Sequence, residues 1–202
     1  MSASTDALIA IDLQNDFCPG GLLAVAGGDA IVPRINALMG DYPVRVLTQD
    51  WHPSDHMSFA ANHTGAKAFS LTQMPYGPQV LWPVHCVQGS AGAEFHAGLA
   101  TNLADMVIRK GFRAEIDSYS AFFENDQVTP TGLEGYLRTR GVVHVTLVGL
   151  ATDFCVAYSA IDAARLGFGV TVLEGACRAI DLNGSLAEAR SKMLDAGIKL
   201  AP

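Results

Sequence analysis

The chain is short of several things, and each shortage removes a class of function. No run of about 18 apolar residues without charge occurs in its 202 residues, so no segment reads as a membrane span. Lys and Arg number 13 against 20 Asp and Glu, for a net charge of −7. A balance of that kind, without basic clusters, excludes the electrostatic footprint of a nucleic-acid binder. The four cysteines (Cys18, Cys86, Cys155 and Cys177) form no C-x-x-C pair, which excludes a zinc ribbon and a thioredoxin motif. Met1 to Asp6 has neither the basic nor the apolar region of a signal peptide, so a cytoplasmic protein with free thiols is expected. Internal repeats and low-complexity stretches are absent as well.

What is present suits one compact unit. Half of the residues are apolar, and a chain of this length ordinarily builds a single core, so residues 1–202 read as one domain. Continuous apolar runs at Ala7–Ile11, Val44–Thr48, Met106–Arg109, Val142–Val148 and Gly169–Leu173 read as strands buried on both faces. Ile198–Leu200 reads as a short edge strand. Helical spacing covers Asp29–Met39, Thr131–Arg140, Thr152–Leu166 and Ser185–Ala196, several of them followed by Gly. Alternating strands and helices predict an α/β fold: a three-layer α/β/α sandwich around a mostly parallel, Rossmann-like sheet. Residues 51–103 break this rhythm. They are rich in His, Pro, Gly and aromatics, and so long an irregular insertion is usually functional.

Ligands of open parallel sheets bind beyond the carboxyl ends of the strands. Four expected strands end in reactive groups there: Asp12, Asp50 followed by His52, Lys110, and the turn Thr152-Asp153-Phe154-Cys155. Cys155 falls in the first turn of a helix, where the positive helix end and its amides favour a thiolate or an oxyanion. Position alone leaves a nucleophile and a buried small hydrophobe equally open. Asp12 offers a base whose pKa burial would raise, and Lys110 a cation to pair with it. Asp50 and His52, two apart on an extended segment, point to one side and suit a divalent metal. Five of the six histidines lie between His52 and His96, so His56, His63, His85 and His96 are all candidates for a third ligand. Phe17 and Trp82 flank these residues and suit a flat ring, with Tyr119 nearby.

These motifs resemble those of the nicotinamidases, also called pyrazinamidases, within the isochorismatase-like cysteine hydrolases. The matching stretches are Ile11-Asp12-Leu13-Gln14-Asn15-Asp16-Phe17, Thr48-Gln49-Asp50-Trp51-His52-Pro53, and Trp82-Pro83-Val84-His85-Cys86-Val87-Gln88-Gly89. Lys110-Gly111, Asp117-Ser118-Tyr119-Ser120-Ala121-Phe122 and Gly149-Leu150-Ala151-Thr152-Asp153-Phe154-Cys155-Val156 complete the set, which runs from about Ala7 to about Ala179. The resemblance implies a catalytic trio of Asp12, Lys110 and Cys155, and an oxyanion hole from the N–H groups of Ala151 and Cys155. It implies a cis peptide at Leu150–Ala151 and a ring pocket lined by Phe17, Trp82 and Tyr119.

It also implies one divalent metal on Asp50, His52 and His85. Zinc is the first choice, with iron or manganese as alternatives. Relatives place a further ligand near His56 and Ser58; here water is expected to complete the shell, with His56 as an alternative. The implied activity is hydrolysis of nicotinamide, and of pyrazinamide, through a Cys155 thioester, in NAD salvage. The implied partner is the small-molecule substrate, with neither nucleic acid nor membrane, and with room for a homo-oligomer. Rival expectations are an N-carbamoyl amide hydrolase or isochorismatase of the same superfamily, a hydrolase driven by metal-bound water, and a non-catalytic binding protein.

Overall fold

A computed structural model describes residues 6–202; Met1–Thr5, most of the stretch expected to lack an export signal, lie outside the described residues. Along the chain run β1 (Asp6–Ile11), α1 (Val32–Met39), β2 (Val44–Asp50), β3 (Leu71–Met74), β4 (Gly77–Val80) and β5 (Met106–Lys110). They are followed by α2 (Leu133–Thr139), β6 (His144–Leu150), α3 (Ala157–Arg165), β7 (Gly169–Arg178), α4 (Ser185–Asp195) and β8 (Lys199–Ala201). No described helix is long and apolar enough to cross a membrane.

Six strands make one parallel sheet in the order β5-β2-β1-β6-β7-β8. Chain order therefore runs outwards from β1 in one direction and from β6 in the other. Right-handed crossovers with opposite directions of travel place α1 and α3 on opposite faces, which gives the three expected layers. The central strands are buried through their middles and carboxyl ends: Leu8, Ile9, Ile11, Leu47, Leu147 and Val148 are at most 1% exposed. The order of strands reverses between β1 and β6, and in such sheets that is the crevice where ligands bind. Asp12 follows β1 and Cys155 follows β6, so both flank the reversal. Asp50 and Lys110 are cross-strand partners at the ends of β2 and β5.

Several sequence boundaries move, each for a local reason. The expected helix Asp29–Met39 divides into a 3-10 turn at Asp29–Ile31 and then α1, whose Pro33 sits in the first turn, where a missing N–H costs nothing. The expected helix Thr131–Arg140 shortens to α2, because Gly132 takes a left-handed φ of 101° just before it. Strand β7 runs five residues beyond the expected Leu173: after an irregularity between Leu147 and Gly149 of β6, pairing resumes through Leu150 and Arg178. Strand β5 alternates in exposure rather than being buried throughout, as an edge strand does. Inside 51–103 the antiparallel hairpin β3–β4 has no counterpart among the expected elements; its strands have only four residues each.

Candidate active site

Lys110 is the centre of the site. Its side chain is wholly buried, and its ammonium group is shared among four acceptors. Nζ lies 2.9 Å from Asp12 Oδ2, donates to Ser118 O at 3.0 Å and reaches Cys155 Sγ at 3.4 Å. It also makes a short ion pair with Asp50 Oδ1. Burial alone would drive the lysine towards neutrality, but Asp12 and Asp50 outweigh it and hold the ammonium well above the usual lysine range. For Asp50, burial pushes up, yet Lys110 and then His52 prevail and hold it well below the usual carboxylate range. Asp12 has the opposite outcome. Burial, the largest influence, lifts it to about 6 against the pull of Lys110. One cation thus leaves two carboxyls with separated affinities for a proton, and Asp12 is the one poised near neutrality.

Asp12 is fixed by more than the lysine. Its backbone has φ of 51°, and its N–H donates to Thr48 Oγ1 at 3.1 Å. The same hydroxyl donates back to Asp12 Oδ1 at 2.6 Å. Carboxylate oxygens of Asp12 and Asp50 and the Cys155 sulfur all lie within 4.8 Å of one another.

The expectation of a thiolate stabilised by a helix N-terminus is corrected. Residues Thr152–Val156 form a π-turn ahead of α3, and the amides of Phe154 and Val156 both donate to Ala151 O. Cys155 is 7% exposed, and burial first, then Asp12 and Asp50, push its thiol well above the usual cysteine range despite Lys110. Its resting state is a neutral thiol beside a carboxylate. The Leu150–Ala151 peptide is cis, and Ala151 lines the cavity with Cys155. Gly149 has φ of 117°, and a Cβ there would meet Ile11 O at 2.2 Å, so the approach to this turn requires glycine.

Asp50 Oδ2 faces two imidazoles: His52 Nε2 at 3.5 Å and His85 Nε2 at 3.9 Å. His52 Nδ1 lies 2.8 Å from Gly111 O, and His85 Nδ1 lies 2.8 Å from Pro83 O. A carbonyl can only accept, so each Nδ1 carries a proton and Nε2 is the ring atom turned towards Asp50 and available to bind an ion. Two donors about 2.1 Å from one ion stand roughly 3–3.5 Å apart, close to these separations. The trio therefore fits a divalent ion in donor chemistry, tautomer and spacing, with the carbonyl partners that metal-bound histidines usually have. Burial, assisted by His52, lowers His85 to about 4, which keeps it in the neutral, ligating form.

The other histidines do not join the trio. His56 faces Ser58 Oγ at 2.7 Å and Ile116 O at 3.3 Å, and groups instead with His52 and Asp117. His63 bonds Met57 O, and His96 lines a separate surface recess with Cys18.

Between the thiol and the trio lies a small recess with largely apolar and aromatic walls. The expected Phe17, Trp82 and Tyr119 line it with Asp50, His52, His85, Ala151 and Cys155. Four further lining residues have no assigned part in the sequence reading: Leu23, Asp117, Phe154 and Ile180. Phe154 sits edge-on to Trp82 at 4.9 Å, and its place beside Cys155 is the signal that marks it. Ile180 lies in a loop after β7, where nothing in the sequence marks it. Gln14 is a further residue that sequence reasoning misses. Its amide accepts from Asp50 N–H and donates to Asp50 O, both at 2.8 Å, and so clamps the backbone that presents the carboxylate.

Residues 6–196 match the isochorismatase domain. The nicotinamidase of Acinetobacter baylyi is 55% identical over 98% of this chain and 92% of its own. A solved Acinetobacter baumanii nicotinamidase/pyrazinamidase superposes with a TM-score of 0.97 at 53% identity, covering 100% of this chain and 97% of the other. The pyrazinamidase of Pyrococcus horikoshii, solved in complex with zinc, gives a TM-score of 0.79 at 34% identity, covering 98% and 99%. With the isochorismatase domain matched along 6–196 and nicotinamidases this similar in sequence and structure, the chain belongs to the nicotinamidases of the isochorismatase-like superfamily.

Proposed function

We propose that the chain hydrolyses nicotinamide to nicotinate and ammonia, and pyrazinamide likewise, through a thioester on Cys155. The observation that carries this reading is that one buried ammonium group, Lys110 Nζ, touches Asp12, Asp50 and Cys155 together. Nucleophile, base and metal-ligand carboxylate thereby become one unit beside a cavity walled by Phe17, Trp82 and Tyr119.

Residues 6–202 act as one domain in this reading, with residues 51–103 supplying the ring and metal pocket through His52, Trp82 and His85. Phe17, Trp82 and Tyr119 hold the pyridine ring. Asp50, His52 and His85 would hold a divalent ion, of which zinc is our choice on the precedent of the zinc complex of the Pyrococcus horikoshii pyrazinamidase. When bound, that ion supplies a Lewis-acid contact for the ring nitrogen.

Asp12, ionised above about pH 6, takes the proton of the neutral Cys155 thiol as sulfur attacks the amide carbon. The N–H groups of Ala151 and Cys155 receive the developing oxyanion; one such donor is worth about 3 kcal/mol. Asp12 then gives its proton to the nitrogen, the C–N bond breaks and ammonia leaves. Water attacks the thioester, Asp12 takes a proton from it, and the acid departs as the thiol regains that proton. Lys110 keeps its own proton throughout and balances the charge that passes between Asp12 and Cys155.

Ammonia release from nicotinamide, measured before and after chelation, tests the proposal. Expected are turnover, its loss on chelation and its return with added zinc. Absence of release from the metal-loaded protein would overturn the substrate, and release indifferent to chelation would overturn the metal's role.

A further inference from the structure

The wall of the cavity that faces the ring has a support of its own. Tyr119 and Trp82 line the cavity, and Tyr119 Oη accepts from Trp82 Nε1 at 3.0 Å. Phe154 packs edge-on against both aromatics. The same phenol oxygen lies 2.8 Å from Nε2 of Gln79, a residue of β4 that is 1% exposed. Gln79 Nε2 also faces Asp117 Oδ2 at 2.7 Å, another lining side chain, and Val80 O at 2.8 Å, so its two protons are shared among three acceptors. Its Oε1 accepts from Asn125 Nδ2 at 3.0 Å and from Tyr76 Oη at 3.2 Å. Asn125 in turn accepts from Tyr119 N–H at 3.0 Å and donates its backbone N–H to Asp117 O at 2.7 Å.

Gln79 itself does not line the cavity, so its amide makes no direct contact with a substrate there. Yet every polar atom of that amide is committed, and two of its partners are cavity walls. A third wall, Trp82, is held through Tyr119. Replacing the amide by an apolar group would leave the Tyr119 oxygen and the Asp117 carboxylate short of a buried donor, a situation that side chains relieve by moving. The movement available to Tyr119 carries Trp82 and Phe154 with it.

We infer that Gln79 is a positioning residue that sets the width of the ring pocket by holding Tyr119, and through it Trp82, and so governs affinity for the ring rather than the chemical step. This rests on the reading of the cavity as the nicotinamide pocket. The hairpin β3–β4 thereby acquires a purpose, since it delivers one glutamine to the back of the substrate wall.

The test compares wild type, Gln79→Leu, Tyr119→Phe and the double variant as metal-loaded proteins. Ammonia release from nicotinamide gives kcat and KM, and metal content and ligand-free tryptophan emission are measured alongside. Gln79→Leu should raise KM about tenfold, the scale of one lost buried hydrogen bond, with kcat within about twofold and metal content unchanged. Tyr119→Phe should raise KM in the same direction, and the double variant should be no worse than Gln79→Leu, because both changes break one link. Emission should shift in Gln79→Leu, since the surroundings of the Trp82 indole change as it moves with Tyr119.

An unchanged KM in folded Gln79→Leu, additive effects in the double variant, or a fall in kcat together with metal content would each overturn the inference. If Gln79→Leu fails to fold, Tyr119→Phe and Gln79→Glu carry the test; Gln79→Glu keeps the size and removes both donors, and an unchanged KM in either overturns the inference. Should wild type release no ammonia from nicotinamide, the substrate reading fails separately, while the emission shift still decides whether Gln79 holds Trp82.

Discussion

Gly111 follows Lys110 directly, and its replacement by alanine isolates one wall of the candidate metal site. Its carbonyl accepts from His52 Nδ1 at 2.8 Å, its φ is +65°, and a Cβ on it would lie 2.4 Å from His52 Cε1 and 2.7 Å from Nδ1. Ordinary contact begins at 3.4 Å, so the imidazole must retreat by roughly 1 Å or the carbonyl must turn away. Either response breaks the bond that fixes the tautomer and aim of His52. Loss of such a carbonyl partner usually costs about 10- to 100-fold in metal affinity, or about 1.4–2.7 kcal/mol. A left-handed alanine adds about 1–2 kcal/mol of backbone strain, which lowers stability whatever happens to the histidine.

The control is Gly141→Ala, at φ of +69° after α2 with nothing within 4 Å of its Cβ position. Both variants should lose similar stability from strain in thermal unfolding of the metal-free proteins, with Gly111→Ala losing somewhat more. Competition titration against a chromophoric chelator should show weaker zinc binding in Gly111→Ala alone. Zinc affinity in Gly111→Ala within twofold of wild type, or an equal loss in Gly141→Ala, would refute the assignment of His52 as a ligand held by this carbonyl.

Three other perturbations separate the remaining parts. Cys155→Ala should abolish ammonia release while zinc content stays at the wild-type level, because the sulfur is not one of the three donors; residual turnover above a thousandth of wild type would point to attack by water instead. The acid limb of kcat/KM should fall near pH 6, since Asp12 must be ionised to act as base and activity declines as it protonates. Thr48→Val should move that limb to higher pH, because the threonine hydroxyl favours the ionised carboxylate, and a limb that stays put or moves down would remove Asp12 from the role. Gln14→Leu should reduce zinc affinity with Cys155 alkylation by iodoacetamide nearly unchanged, as the amide braces Asp50 and makes no contact with the thiol; equal damage to both would show that the brace serves the whole sheet end.

What is legible in the sequence follows from where information about a site is stored. The parallel strands can be read because burial on both faces demands continuous apolar residues, and that demand is local. Asp12, Asp50, Lys110 and Cys155 can be read because each ends such a strand or opens the turn after it, so position along the chain becomes position in space. Ile180 and Leu23 reach the site from loops, and Gln79 stands behind it on a hairpin with strands of four residues, where neither periodicity nor strand ends mark direction. Strand β7 reads short because the apolar run stops at Leu173, while the pairing that extends it depends on β6.

Cys155 shows the same limit from the energetic side. A helix start predicts an activated thiolate only if the amides there are free and the surroundings are not negative. In the folded chain Ala151 O occupies the amides of Phe154 and Val156, and two carboxylates stand within 4.8 Å of the sulfur. Burial is the first reason the thiol holds its proton, and repulsion from Asp12 and Asp50 adds to it against the pull of Lys110. The thiol therefore stays protonated until a substrate is in place, and the proton has one near destination, Asp12, whose affinity for it has been raised by the same burial. Activation is thus a property of the pair and of the cation between them. A nucleophile that ionises only on attack is also protected from oxidants that select thiolates, and slow alkylation of the free protein is the expected sign of that state.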